Sequence, residues 1–217
     1  MNAFCRASLR SGLCLLLLGL LVAAPVGEVC AEERVVNVAM EDQFRNPRET
    51  AGMRGDVVVL LYADRHGAEE AHDVGRKLHL HFHPTAEQVS ATEWNRQPVT
   101  GLADWPADMR TPNVHAVAVA CLPEIPKPVH PVVRAQVRKE SPHVPVWLDF
   151  AGTMPKTFGM VKGVPNILLI DTAGRVHSVT NGSIDDAKFK EMVATIDQLR
   201  QQARPAIRTA SNLELAR

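Results

Sequence analysis

Apolar positions fall into three kinds of run along this chain: an uncharged leucine block near the start, short β-branched stretches, and a periodic segment near the end. The strongest stretch, Val57-Val58-Val59-Leu60-Leu61-Tyr62, is continuous rather than alternating. It predicts a strand covered on both faces of a parallel or mixed sheet. A helix should follow. Ala68, Ala71, Val74, Gly75 and Leu78 supply its inner face, while Glu69, Glu70 and Asp73 near its start and Arg76 and Lys77 near its end suit the helix dipole. Residues 114–121 form a second buried strand, the proline-rich residues 122–131 lead to a helix over 132–139, and residues 144–148 form a short strand before a turn at Gly152. Residues 165–170 and 175–180 flank Asp171-Thr172-Ala173-Gly174 and predict a β-hairpin. The last helix covers 185–202, with Phe189, Met192, Val193, Ile196 and Leu199 at spacings of three and four.

Between these elements the pattern weakens. Residues 35–40 alternate faintly, and residues 41–55 are polar, with Asn46-Pro47 and Arg54-Gly55-Asp56 as turn chemistry. Residues 84–112 carry Trp94, Trp105 and several prolines but little periodicity, so they read as a long insertion after the first helix. The two tryptophans either anchor that insertion on the domain or mark a partner site. Asp149 and Asp171 read as turn residues. Residues 205–217 are expected to be a disordered tail. No internal repeat is visible. Strands alternating with helices, then a closing hairpin and helix, give an α/β fold with a mixed central sheet flanked by helices.

The leucine block assigns a compartment. Arg6 and Arg10 precede the uncharged residues 13–24, about 12 residues, where a membrane-spanning helix needs about 20. Small side chains near Val29 and Ala31 offer a cleavage site after Ala31, so residues 1–31 read as a signal peptide and the protein as secreted or periplasmic. Membrane contact is then only transient; an uncleaved anchor is the alternative. A lipoprotein reading through Cys30 fits poorly, because Glu28 stands where a small apolar residue belongs. Cleavage would remove Cys5, Cys14 and Cys30 and leave Cys121, which cannot form an internal disulfide alone. The domain, residues 32–204, must rely on its core. With 24 basic and 24 acidic side chains the charge is balanced, which argues against nucleic acid as a partner.

Several segments together resemble the thioredoxin-like superfamily, in its redoxin branch of secreted thiol-disulfide oxidoreductases and peroxiredoxins. They are Glu41-Asp42-Gln43-Phe44-Arg45-Asn46 as an N-terminal hairpin, Arg54-Gly55-Asp56 before the strand 57–62, residues 158–166 ending in Gly163-Val164-Pro165-Asn166, and Ile170-Asp171-Thr172-Ala173-Gly174-Arg175-Val176. The resemblance implies a thioredoxin-like fold and a cis-proline at Pro165. It also implies a catalytic dithiol at the start of the helix after the first long strand, where dipole and free N–H groups lower a thiol's pKa. There the sequence departs from the pattern. Setting Tyr62-Ala63-Asp64-Arg65 on the family's lead-in puts His66-Gly67-Ala68-Glu69 in place of Cys-x-x-Cys, and residues 64–72 contain no cysteine. Dithiol exchange by the family mechanism requires a thiolate that this segment lacks.

Three uses remain open, one of them enzymatic. The first is a non-catalytic accessory module that binds a peptide or protein partner, with Arg65, His66, Gly67 and Glu69 at the helix start and Val164 and Pro165 opposite. In the family the groove beside that proline binds extended peptides, and the backbone of Val164 would offer an edge for β-type pairing. The second is a thiol-dependent oxidoreductase or peroxidase using Cys121, which needs an exposed strand end; otherwise Cys121 is a small buried hydrophobe. The third is metal binding. His79, His81 and His83 alternate and in an extended segment would point one way, while His66, Glu69 and His72 cluster near the helix start. Asp64, Arg65, His66 and Glu69 also have acid–base chemistry, although charged helix starts commonly serve as caps. No cofactor is implied. The oligomeric state is open.

Overall fold

In a computed structural model of the chain, residues 35–203 are described; the expected signal peptide and tail lie outside them. Among the described residues seven strands form one mixed sheet in the order β2-β1-β5-β4-β3-β6-β7. These are β1 (Ala39–Asp42), β2 (Pro47–Glu49), β3 (Val57–Ala63), β4 (Val114–Cys121), β5 (Val146–Asp149), β6 (Asn166–Ile170) and β7 (Val176–Asn181). The helices are α1 (Ala68–Phe82), α2 (His130–Glu140), α3 (Thr153–Phe158) and α4 (Asp186–Gln202). Strand β3 runs parallel to β4 and antiparallel to β6, β4 runs parallel to β5, and β6 and β7 are antiparallel. This is the α/β, thioredoxin-like arrangement that the resemblance implies.

All seven residues of β3 are buried, as the unbroken apolar run requires. Val57, Val59, Leu61 and Ala63 face one layer with Val74, Leu78 and Phe82 of α1 and Ile196 and Leu199 of α4. Val58, Leu60 and Tyr62 face the other, with Val119, Cys121, Trp147 and Met154. Each fully buried aliphatic side chain contributes about 1.5–3 kcal/mol. Asp185 caps α4 by accepting from the N–H of Lys188 at 2.8 Å. The predicted hairpin forms as β6 and β7. Asp171 accepts from the N–H groups of Ala173 and Arg175, and Gly174 takes φ +84°.

Two expectations are corrected. The residues after Leu78 are not extended: α1 continues to Phe82 because Leu78 and Phe82, four apart, keep its apolar face on the core. The turn at Gly152 opens a short helix, α3, whose first N–H groups at Thr153 and Met154 both donate to the buried Asp149 carboxylate at 2.8 Å. Asp149 therefore serves as a helix cap and not only as a turn residue.

The insertion, 84–112, contains two short 3-10 turns, Pro84–Gln88 and Trp94–Arg96. Its second half is held by Arg200, a fully buried residue of α4 that donates to the carbonyls of Thr100 (2.6 Å) and Pro112 (2.9 Å) and to Asp197 (2.9 Å). Arg200→Met keeps the volume but leaves two carbonyls without their donor. It should cost about 2–4 kcal/mol in chemical denaturation.

Candidate functional site

Strand β3 ends at Ala63, and the turn that follows is organised by Asp64. Its Oδ1 accepts from the N–H groups of His66 (2.9 Å) and Gly67 (3.1 Å), and its Oδ2 from the N–H of Gly163 across the loop that precedes β6 (3.0 Å). Burial works to raise this carboxyl's pKa, but the three N–H donors and the nearby His66 outweigh it and hold the carboxyl below its ordinary value. Backbone contact completes the junction: a Cβ on Gly67 would lie 2.5 Å from the carbonyl oxygen of Val164 and 2.9 Å from its nitrogen. Only glycine lets the start of α1 lie so close to the chain before Pro165.

Beside this junction, at the C-terminal ends of β3 and β4, lies an open groove of about 470 Å³. Open α/β sheets bind ligands at this kind of position. One wall is Asp64, Arg65 and His66, the second is Cys121, Leu122, Pro123, Glu124 and Ile125, and the third is Met160, Lys162 and Gly163. Lys162 and Glu124 pair at 3.2 Å, both largely exposed. The apolar contribution comes from Leu122, Pro123, Ile125 and Met160, and the rim carries Arg65 and Lys162.

The expected residues separate on inspection. Arg65 and His66 line the groove, Gly67 is buried against Val164, and Glu69 lies on the exposed face of α1, outside the lining. The Val164 carbonyl accepts from Asn166 Nδ2 at 3.0 Å and lies against Gly67, so that oxygen is not open for β-type pairing. Pro165 is buried, and its carbonyl accepts from the N–H of Gly182. Nothing in the local pattern of the proline-rich stretch 122–125, or around Met160, marks these positions as lining a groove beside α1's start.

Cys121 lines the groove yet is only 5% exposed. Burial, followed by the negative charges of Asp149 and Asp64, pushes its thiol up to about 12. Tyr62, nearby, is likewise raised to about 12 by burial and by Cys121; its hydroxyl donates to the Gly159 carbonyl at 2.8 Å.

The histidines do not gather. On a helix, residues two apart point to different sides. His79 and His83 stack at 4.5 Å, while His81 is exposed and meets the edges of Phe82 and Phe189. His72 and Glu69 are exposed on α1. Among the described residues no group of three or more His, Cys, Asp or Glu is placed to hold a metal ion.

No protein-family model matches the chain, and no curated protein is significantly similar to it. Solved structures are similar. The exposed lipoprotein thioredoxin of Streptococcus pneumoniae is 14% identical, with 75% of this chain and 99% of that one covered at a TM-score of 0.45. The secreted thiol-disulfide isomerase of Corynebacterium glutamicum is 11% identical, with 77% and 86% covered at 0.48. A peroxiredoxin-like protein of Aquifex aeolicus is 13% identical, with 77% and 85% covered at 0.45.

Two measurements probe the site. With a thiol at about 12 against an ordinary 9.0, Cys121 should react with iodoacetamide at pH 8 about 1000-fold more slowly in the folded protein than in the unfolded chain. Gly67→Ala should lower stability by about 1–3 kcal/mol, measured by thermal denaturation, because the added methyl meets backbone that cannot move aside cheaply.

Proposed function

We infer that the protein is a thioredoxin-fold accessory module that holds an extended segment of a protein or peptide partner in the groove between Arg65, Ile125 and Lys162, without exchanging disulfides. The observation that carries this reading is the groove itself, which persists at the strand ends although the adjoining helix start has no thiol. Its apolar walls, with a rim that carries both Arg65 and the Lys162–Glu124 pair, suit a chain with exposed hydrophobic side chains. The leader-like residues 1–31 support an extracytoplasmic partner. Among the described residues no helix is long and apolar enough to cross a membrane.

The position of Cys121 on the groove wall favours a thiol-dependent activity as the second reading. That activity must ionise a thiol that its surroundings hold protonated. One experiment separates the two. The exported protein is panned against a random heptapeptide library and assayed in parallel for peroxide and disulfide turnover. Enriched peptides whose binding falls at least tenfold in Ile125→Glu, with no turnover, are the expected result. Turnover abolished by Cys121→Ser, or peptide binding unchanged in Ile125→Glu, would overturn the module.

A further inference from the structure

The insertion is fastened to the domain by two different devices. Residues 99–112 hang on Arg200, together with the N–H of Thr100 donating to the Phe82 carbonyl (2.7 Å) and Gln201 donating to Ala103 (3.0 Å). In the first half, 84–97, Ala86 is buried and its N–H donates to the His83 carbonyl (2.9 Å), and Trp94 is held by histidine. The His79 ring lies between two others, stacked on His83 at 4.5 Å and on Trp94 at 4.8 Å, with interplanar angles of 19° and 17°. His79 Nε2 faces the Trp94 carbonyl at 3.1 Å. A carbonyl only accepts, so this nitrogen carries the proton. His83 is 3% exposed; its Nδ1 faces the His79 carbonyl at 3.2 Å and its Nε2 faces Asn113 Oδ1 at 2.8 Å.

The charged groups around the stack are of both signs, and the acids nearest it are already paired. From β4 comes His115 and from α4 comes Arg200, both acting on His83. His115 and Arg110 are themselves paired with Asp56 at 3.0 and 2.8 Å. Asp197 pairs with Arg200. On the strap itself Glu87, Glu93 and Arg96 are exposed.

We propose that the stack of His79, His83 and Trp94 is an acid-released clasp: protonation of His79 frees residues 84–97 from α1 while residues 99–112 stay held by Arg200. A charge on His79 would sit half-buried beside a second imidazole, without a carboxylate partner. Burial first and the charge of His83 second hold His79 down at about 4, against an ordinary 6.5, with only the Trp94 carbonyl working the other way. Burial holds His83 below its ordinary value as well, although its two acceptors oppose this. Because the closed state has the lower pKa, the clasp's contribution is full above pH 6.5 and is lost as pH falls toward 4.

The test is hydrogen exchange by mass spectrometry on the exported protein between pH 7 and pH 4, corrected for intrinsic rates. The opening equilibrium of residues 84–97 should rise roughly 100-fold over that range, while β3 stays protected. In His79→Gln, whose amide can still donate to Trp94 but does not titrate, that rise should shrink at least tenfold. Trp94→Ala should leave residues 84–97 open at pH 7 with β3 unchanged. A strap that stays closed at pH 4, that opens only together with β3, that opens equally in His79→Gln, or that stays protected at pH 7 in Trp94→Ala would overturn the clasp.

Discussion

Strand β3 is hydrogen-bonded along both edges and covered on both faces, and the placement of the other elements follows from that constraint. A strand with parallel β4 on one side and antiparallel β6 on the other brings two segments distant in sequence together at its C-terminus. One is the start of α1, the other is the loop that leads into β6. The Asp64 carboxylate joins them with three N–H bonds, and Gly67 removes the side chain that would hold them apart. The groove is the space left beside that junction.

The same junction bears on thiol chemistry at the strand ends. A helix start lowers a thiol's pKa by offering N–H donors and the positive end of its dipole to the thiolate. Here the N–H groups of His66 and Gly67 are already given to Asp64, so a carboxylate is the resident anion of the turn. Cys121 is close enough to feel Asp64, but that charge acts against its ionisation. The electrostatics at the strand ends thus oppose a thiolate at Cys121.

The insertion adds a second kind of control at the far end of α1. Arg200 keeps its charge at any pH the protein meets, so the bonds it makes to Thr100 and Pro112 are insensitive to acid. An imidazole stack is not. The groove therefore lies just before the start of α1, and the titrating fastening lies at its end.

Much of this was legible in the linear chain, and for a consistent reason. The run 57–62, the periodic residues of the last helix and the Asp171 to Gly174 turn each state their structure through neighbours within a few positions, where local sterics and burial decide. The absence of a thiol from residues 64–72 is likewise a matter of inventory. The alternating histidines misled, because a period of two is the strand pattern while Leu78 and Phe82 bind the same residues to a helical face. Which residues meet was decided by tertiary structure alone. Asp64 with Gly163, Gly67 with Val164, and Leu122 to Ile125 with the start of α1 are long-range encounters. They exist because the sheet order places the ends of β3, β4 and the β6 loop side by side, and no local pattern encodes that order.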